Sequence, residues 1–346
     1  SDTNAGGGVS TSFLIAGGET ATAYVASTEE FSAAGPADSI INTGQVFYRS
    51  DTGDMKVTLN VLGTGAWASG GGLNNGRTTY QGSSTSGTQT ATITFGGYDT
   101  ASRAYTESYN GTSWTEVNDL NATTASHAGA GTSTAALSFG GMPAVANNES
   151  WDGSSWTEVN NLNTGRGNSA SFGLQTAAIA AGGRTPSKAN VESFNGTSWT
   201  EVNDLNTARY MMAGVGRSTT GLVIGGDVAA DSGNGSNIVE SWNGTSFTEI
   251  TELNTARWGL SGAGIDNTEA IAFNGYTSSA YKTITEHWNG TAWTEVADMS
   301  VARALGASSG TVEAAVAMGG QGTSIDNTTT EEWTVPSTAT NTTITD

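Results

Sequence analysis

The sequence predicts an all-β protein, a seven-bladed β-propeller of four-stranded antiparallel blades formed as a single domain over residues 1–346. Three observations predict it. One segment recurs along the chain: ESYNGTSWTEVNDLNAT, ESWDGSSWTEVNNLNTGR, ESFNGTSWTEVNDLNTAR, ESWNGTSFTEITELNTAR and EHWNGTAWTEVADMSVAR. An apolar run ending in Gly-Gly (once Asn-Gly) occurs seven times, with second glycines at Gly18, Gly97, Gly141, Gly183, Gly226, Gly275 and Gly320. The composition combines 48 glycines, 4 prolines and 13% charged residues with an apolar content of 36%, which suits many short strands joined by tight turns around a real core.

The elements follow in order within each repeat. A small-residue strand such as MMAGVG comes first, and the apolar Gly-Gly strand second. The third strand carries Glu-x-aromatic and the fourth the Trp of NGTSWTEV. The opening glutamates are Glu107, Glu149, Glu192, Glu240, Glu286 and Glu331, at intervals of 42, 43, 48, 46 and 45 residues. The Asn-Gly and Asp-Gly pairs between strands three and four suit a two-residue hairpin, because both central residues tolerate positive φ. A lone four-stranded sheet cannot bury both its faces, and radial stacking of such sheets removes the difficulty. Counting on from Glu331 places Thr338 at the Trp position and Ile344 at the Leu position, so the ring is expected to close there, with TNTTITD as its weakest strand.

The order apolar-Gly-Gly, Glu-x-aromatic, Trp and a turn ending in Arg resembles the Kelch repeat. It departs from that family in its Asn-Gly or Asp-Gly turns of nearly fixed length and in Phe247 for one Trp. The near-identical NGTSWTEVNDLNTAR units are also similar to arrays in virion proteins of marine tailed bacteriophages. That second resemblance implies an extracellular virion location on a tail, fibre or capsid.

Length variation marks the free face. Glu to Trp (or Phe247) is 7 residues in all five full copies, whereas Gly-Gly to the next Glu varies from 8 to 14. Those variable loops join strands two and three, and they emerge on the same face as the turns that lead into the next blade. Variable loops on a rigid scaffold are where binding concentrates. The candidate ligand-binding residues there are Tyr98, Arg103, Tyr105, Arg184, Tyr276 and Tyr281, with Asp99, Lys188, Asp231, Asn234 and Lys282 beside them. The turn arginines Arg77, Arg166, Arg209, Arg257 and Arg303 share one phase, which Thr124 interrupts. They are read in two ways: as a ring binding a sulfated or carboxylated glycan, or as scaffold cations each paired with a repeat glutamate between blades. In the first repeat, Glu29 lies 38 residues before Trp67, so an insertion over residues 32–63 is expected inside blade one, with QVFYRSDTGDMKVTL as a hairpin.

Other chemistry is thinly represented. With 32 acidic against 12 basic residues the net charge is −20, which repels phosphate backbones and anionic lipid, so neither nucleic acid nor membrane insertion is expected. The absence of cysteine excludes thiolate metal sites, cysteine nucleophiles and the cysteine-linked tyrosine of galactose-oxidase-like copper centres. His127 and His287 stand at unrelated phases, so no metal or cofactor is expected. Asp152 sits in a segment like the sialidase Asp-box but lacks its spacing, and Asn110, Asn195, Asn243 and Asn289 match the N-glycosylation triplet at hairpin positions. The opening SDTNAGGGVS lacks the charged and apolar regions of a secretory signal, which is compatible with a mature end left by processing. The expectation is a non-enzymatic binding or assembly module that recognises a host surface glycan or a neighbouring virion protein, with oligomers possible. The alternatives are a secreted or bacterial cell-surface adhesion propeller and, ranked last, a glycan hydrolase or lyase.

Overall fold

The computed structural model describes residues 5–9, 12–19, 24–32, 46–49, 53–78, 85–184, 186–228, 233, 235–322 and 328–344. The chain divides into two compact units, Thr64–Val335 and a smaller one made of Ser1–Gly63 with Pro336–Asp346, where one domain had been expected.

The larger unit is a β-propeller of six blades, each a four-stranded antiparallel sheet. The blade carrying Glu107 is typical. Its strands Thr85–Thr88, Ala91–Phe95, Thr106–Tyr109 and Trp114–Val117 pair in that order, so the small-residue strand is innermost and the Trp strand outermost. The inner strands Thr85–Thr88, Ala128–Thr132, Ala170–Leu174, Ala213–Arg217, Ser261–Ala263 and Ala307–Gly310 touch their neighbours in turn, and the last meets the first. Six strands converging on one axis leave room only for small side chains, which accounts for AGAGT, AGVGR and ASSG. Gly131 shows the constraint: at φ 125° its backbone closes on Ala135, where a Cβ would strike the carbonyl.

The core lies between blades rather than inside them. Leu137 and Phe139 of the Glu149 blade pack with Ala178, Ala180, Phe194 and Trp199 of the Glu192 blade in one buried cluster. Outer-strand indoles also bond to the preceding blade: Trp114 Nε1 donates to Thr330 Oγ1 at 3.0 Å and Trp156 Nε1 to Thr106 Oγ1 at 3.1 Å. Phe247 packs instead in one cluster with Val191. The Asn-Gly variant has a local cause too. Asn274 sits at φ 53°, tolerable for asparagine, and its Oδ1 accepts the Ser261 amide at 2.9 Å.

The count of seven is corrected to six by the way the ring closes. The three strands Ala307–Gly310, Ala314–Met318 and Thr330–Thr334 take their fourth from the other end of the chain, Ala66–Ser69, with Trp67 opposite Trp333. Trp67 is therefore the outer aromatic of the Glu331 blade, not the far side of an insertion after Glu29. Its ring centre lies 4.8 Å from that of Phe273, edge to face, and 5.6 Å from that of Trp333, and its Nε1 donates to Thr285 Oγ1 at 3.0 Å. Thr338, at the expected Trp position, could supply none of this. The segment Ser337–Thr343 pairs with Asp54–Leu62 in the smaller unit, so TNTTITD is not a seam strand of the ring.

Within the smaller unit, the first repeat forms a three-stranded sheet of Ala5–Val9, Ser12–Glu19 and Tyr24–Ser32. Val46–Arg49 and Asp54–Leu62 pair antiparallel, but in a separate sheet completed by Ser337–Thr343; the insertion over 32–63 is not found within a blade of the ring.

Candidate functional site

The turn leading into each blade and the strand-two-to-three loops share one face. Backbone bridges join them directly, as at Thr78–Tyr98, Gly167–Arg184, Trp258–Tyr276 and Lys282–Arg303.

The five turn arginines do not reach that surface. Arg77, Arg166, Arg209, Arg257 and Arg303 are at most 1% exposed. Each pairs with the third-strand glutamate of the blade it enters: Arg77–Glu107 at 2.8 Å, Arg166–Glu192 at 2.7 Å, Arg209–Glu240 at 2.8 Å, Arg257–Glu286 at 3.2 Å and Arg303–Glu331 at 3.4 Å. The turn's own amides complete the cradle. Glu192, for example, accepts the Asn163 amide at 2.7 Å, Asn163 Nδ2 at 3.0 Å and the Thr164 amide at 3.1 Å. Desolvation lowers the pKa of these arginines, to about 10 for Arg257 and Arg303, and still leaves them cationic at neutral pH. A glycan on this face meets none of these guanidinium groups, which instead bind each blade to the turn before it.

The loop residues form three groups. On the Glu107 blade, Arg103 Nε donates to both Asp99 carboxylate oxygens at 2.8 and 2.9 Å, and its guanidinium lies 5.6 Å from the Tyr105 ring centre. Arg103 also holds the Asp99 carboxyl well below its ordinary range. Tyr98 bridges Thr78 and Ser102 beside this pair. Between the Glu192 and Glu240 blades, Arg184 lies 5.1 Å over the Tyr210 ring, whose hydroxyl donates to Asp227 Oδ2 at 2.9 Å. The third group is aromatic. Tyr276 stands 5.1 Å from Trp258 and 4.9 Å from Tyr281, all three partly buried and packed against Tyr210, Met211, Ala304 and Leu305. Asp231 and Asn234 lie outside the described residues.

Trp258 and Tyr210 were not among the candidates, although a signal was present. Each directly follows a turn arginine, at a position held elsewhere by Thr78, Gly167 and Ala304. Since the arginine turns inward, the next residue is placed at the face.

The axis is narrow at this face and wider at the opposite end. Residues two after four of the turn arginines, with Ser126 two after Thr124, form a chain of backbone bonds: Asn168 donates to Ser126 at 2.7 Å, Met211 to Asn168 at 2.9 Å, Gly259 to Met211 at 2.8 Å and Leu305 to Gly259 at 2.7 Å. All five have positive φ, between 56 and 61°. At the opposite end a cavity of about 540 Å³ opens among the inner strands, lined by Gly131, Gly173, Gly216, Gly264 and Gly310 and by Ser171 and Ser308.

The remaining motifs resolve into turn chemistry or burial. Asn110 Oδ1 accepts the Thr112 and Ser113 amides at 3.0 and 2.9 Å, and Asp152 does the same for Ser154 and Ser155 at 2.8 Å. Those bonds, led by that from Ser155, hold the Asp152 carboxyl at about 2. His127 is fully buried against Phe95, while His287 is partly exposed and lies 3.7 Å from Glu269. Among the described residues no cluster of three or more His, Asp or Glu is placed to hold a metal ion, and no helix is long and apolar enough to cross a membrane. Comparison with known protein families found no family that matches the chain, and no curated relative matches it.

Proposed function

We propose that this chain is a non-enzymatic recognition module whose loop face binds a carbohydrate on a host surface, and that it is carried on the virion of a tailed phage. The aromatic group Trp258, Tyr276 and Tyr281 carries the ligand half of this reading. Rigid aromatic rings set among polar loops offer an apolar platform for a sugar face together with hydroxyl donors at the rim. Arg184 and Lys282, on the same face, suit an acidic sugar. The described carboxylates of the strand-two-to-three loops support binding over hydrolysis: Asp99 is held by Arg103, and Asp227 is held by Tyr210. The virion half rests on the repeat resemblance.

The test is a glycan array with the intact chain, repeated with Trp258→Ala and Tyr276→Ala. Binding to a defined set of glycans should fall by at least about tenfold in each variant, the equivalent of roughly 1.4 kcal/mol. No binding, together with a particle map that seats this face against another virion protein, would replace the glycan by a neighbouring subunit. Recovery of the chain from a cell envelope or secreted fraction rather than from particles would favour an adhesion propeller.

A further inference from the structure

One blade lacks its arginine and keeps everything that binds it. In the Glu192 blade, Arg166 donates to the carbonyls of Ala180, Gly182 and Asn190 at 3.4, 3.0 and 2.6 Å and to Glu192 at 2.7 Å. The same positions in the Glu149 blade are Ser138, Gly140, Asn147 and Glu149, but the turn residue is Thr124. A cavity of about 90 Å³ lies there, and Thr124, Ser138, Gly140, Asn147 and Glu149 all line it. A cavity needs only about 10–15 Å³ of such space to hold a water molecule.

The electrostatics of this socket are incomplete. Glu149 is 5% exposed and accepts the Asn121 amide and Nδ2, both at 2.8 Å, and the Ala122 amide at 3.2 Å. Glu107, Glu192 and Glu240 have the same three donors, yet among the described residues no cationic side chain pairs with Glu149. Thr124 Oγ1 is buried without a hydrogen-bond partner. A buried carboxylate facing carbonyl oxygens across an open cavity repels anions and neutral acceptors and is stabilised by a cation that can donate in several directions. A planar guanidinium does so in five sister sockets of the same ring. The cavity is bordered by exposed Thr123 and Pro143, so it can be entered from the loop face.

We propose that the Glu149 blade is a socket for a guanidinium group supplied from outside, the arginine side chain of a partner polypeptide. The proposal is independent of carbohydrate binding at the aromatic group. It is tested by titrating the intact chain with N-acetyl-arginine amide and, in parallel, N-acetyl-lysine amide, followed by NMR shifts. The arginine amide should saturate with a Kd on the order of 1 mM, at least about tenfold tighter than the lysine amide. Thr124→Arg should fill the socket from within, abolish binding and raise Tm by about 2–4 °C. Glu149→Gln should abolish binding by removing the carboxylate, and a cooperative melt for that variant shows that the loss is not one of folding. Absence of saturable binding to the wild-type chain, or binding unchanged in both variants, overturns the proposal.

Discussion

Removing the cation from an intact socket measures what the arginine contributes. Arg209 and Glu240 are both fully buried and meet at 2.8 Å, and Arg209 Nη2 also donates to the Val223 carbonyl at 3.2 Å. Glu240 separately accepts the Asn206 amide at 2.7 Å and Asn206 Nδ2 at 2.8 Å. Arg209→Met fills most of the volume but leaves Glu240 charged, buried and without its cation. The lost charged hydrogen bond is worth about 1.5–3 kcal/mol. With the uncompensated charge added, the total should reach about 3–5 kcal/mol. Glu240→Gln leaves Arg209 unpaired and should cost a similar amount. In the double variant neither charge remains, and the Gln carbonyl can still accept from Asn206. The double loss should therefore fall at least about 2 kcal/mol short of the sum, as coupled buried pairs do. Urea midpoints of the four proteins, read by tryptophan fluorescence, provide the cycle. Single losses below about 1 kcal/mol, or a double loss equal to the sum, would refute the view that these pairs hold each blade to its turn.

Two further outcomes are expected. His127 is fully buried, and burial, its main cause, holds its pKa down at about 3. Below the unfolded value of about 6.5 the unfolded chain takes up a proton that the folded imidazole refuses, so stability falls by about 1.4 kcal/mol per pH unit between those values. His127→Phe should flatten that part of a stability–pH profile, and an unchanged slope would count against a neutral buried imidazole. Trp67→Ala should cost about 3–5 kcal/mol by emptying the contact with Phe273 and Trp333. It should also speed amide exchange in Thr330–Thr334 more than in the Glu192 blade, and uniform acceleration would mean that closure is not local to the seam.

The strands and their face were legible because the repeat writes the same physics several times. Small residues converge on the axis, apolar Gly-Gly strands pack between blades, and Asn-Gly turns close hairpins. Spacing alone gives seven blades because it carries no residue chemistry. Thr338 lies 7 residues after Glu331, as the pattern asks, but a threonine cannot fill the inter-blade site that Trp114, Trp156 or Trp199 fills. Trp67 can, and nothing local marks it as the partner of a strand more than 260 residues later. The arginines were ambiguous for a different reason. A periodic turn cation can point outward or inward, and periodicity is blind to that choice. What decides it is the glutamate that recurs with it, since a buried carboxylate at every third strand needs a buried donor. By the same logic Thr124 is the informative position in the turn series: it removes the donor while Glu149 keeps the need, and a single substitution in a repeat thereby turns a scaffold contact into an open site.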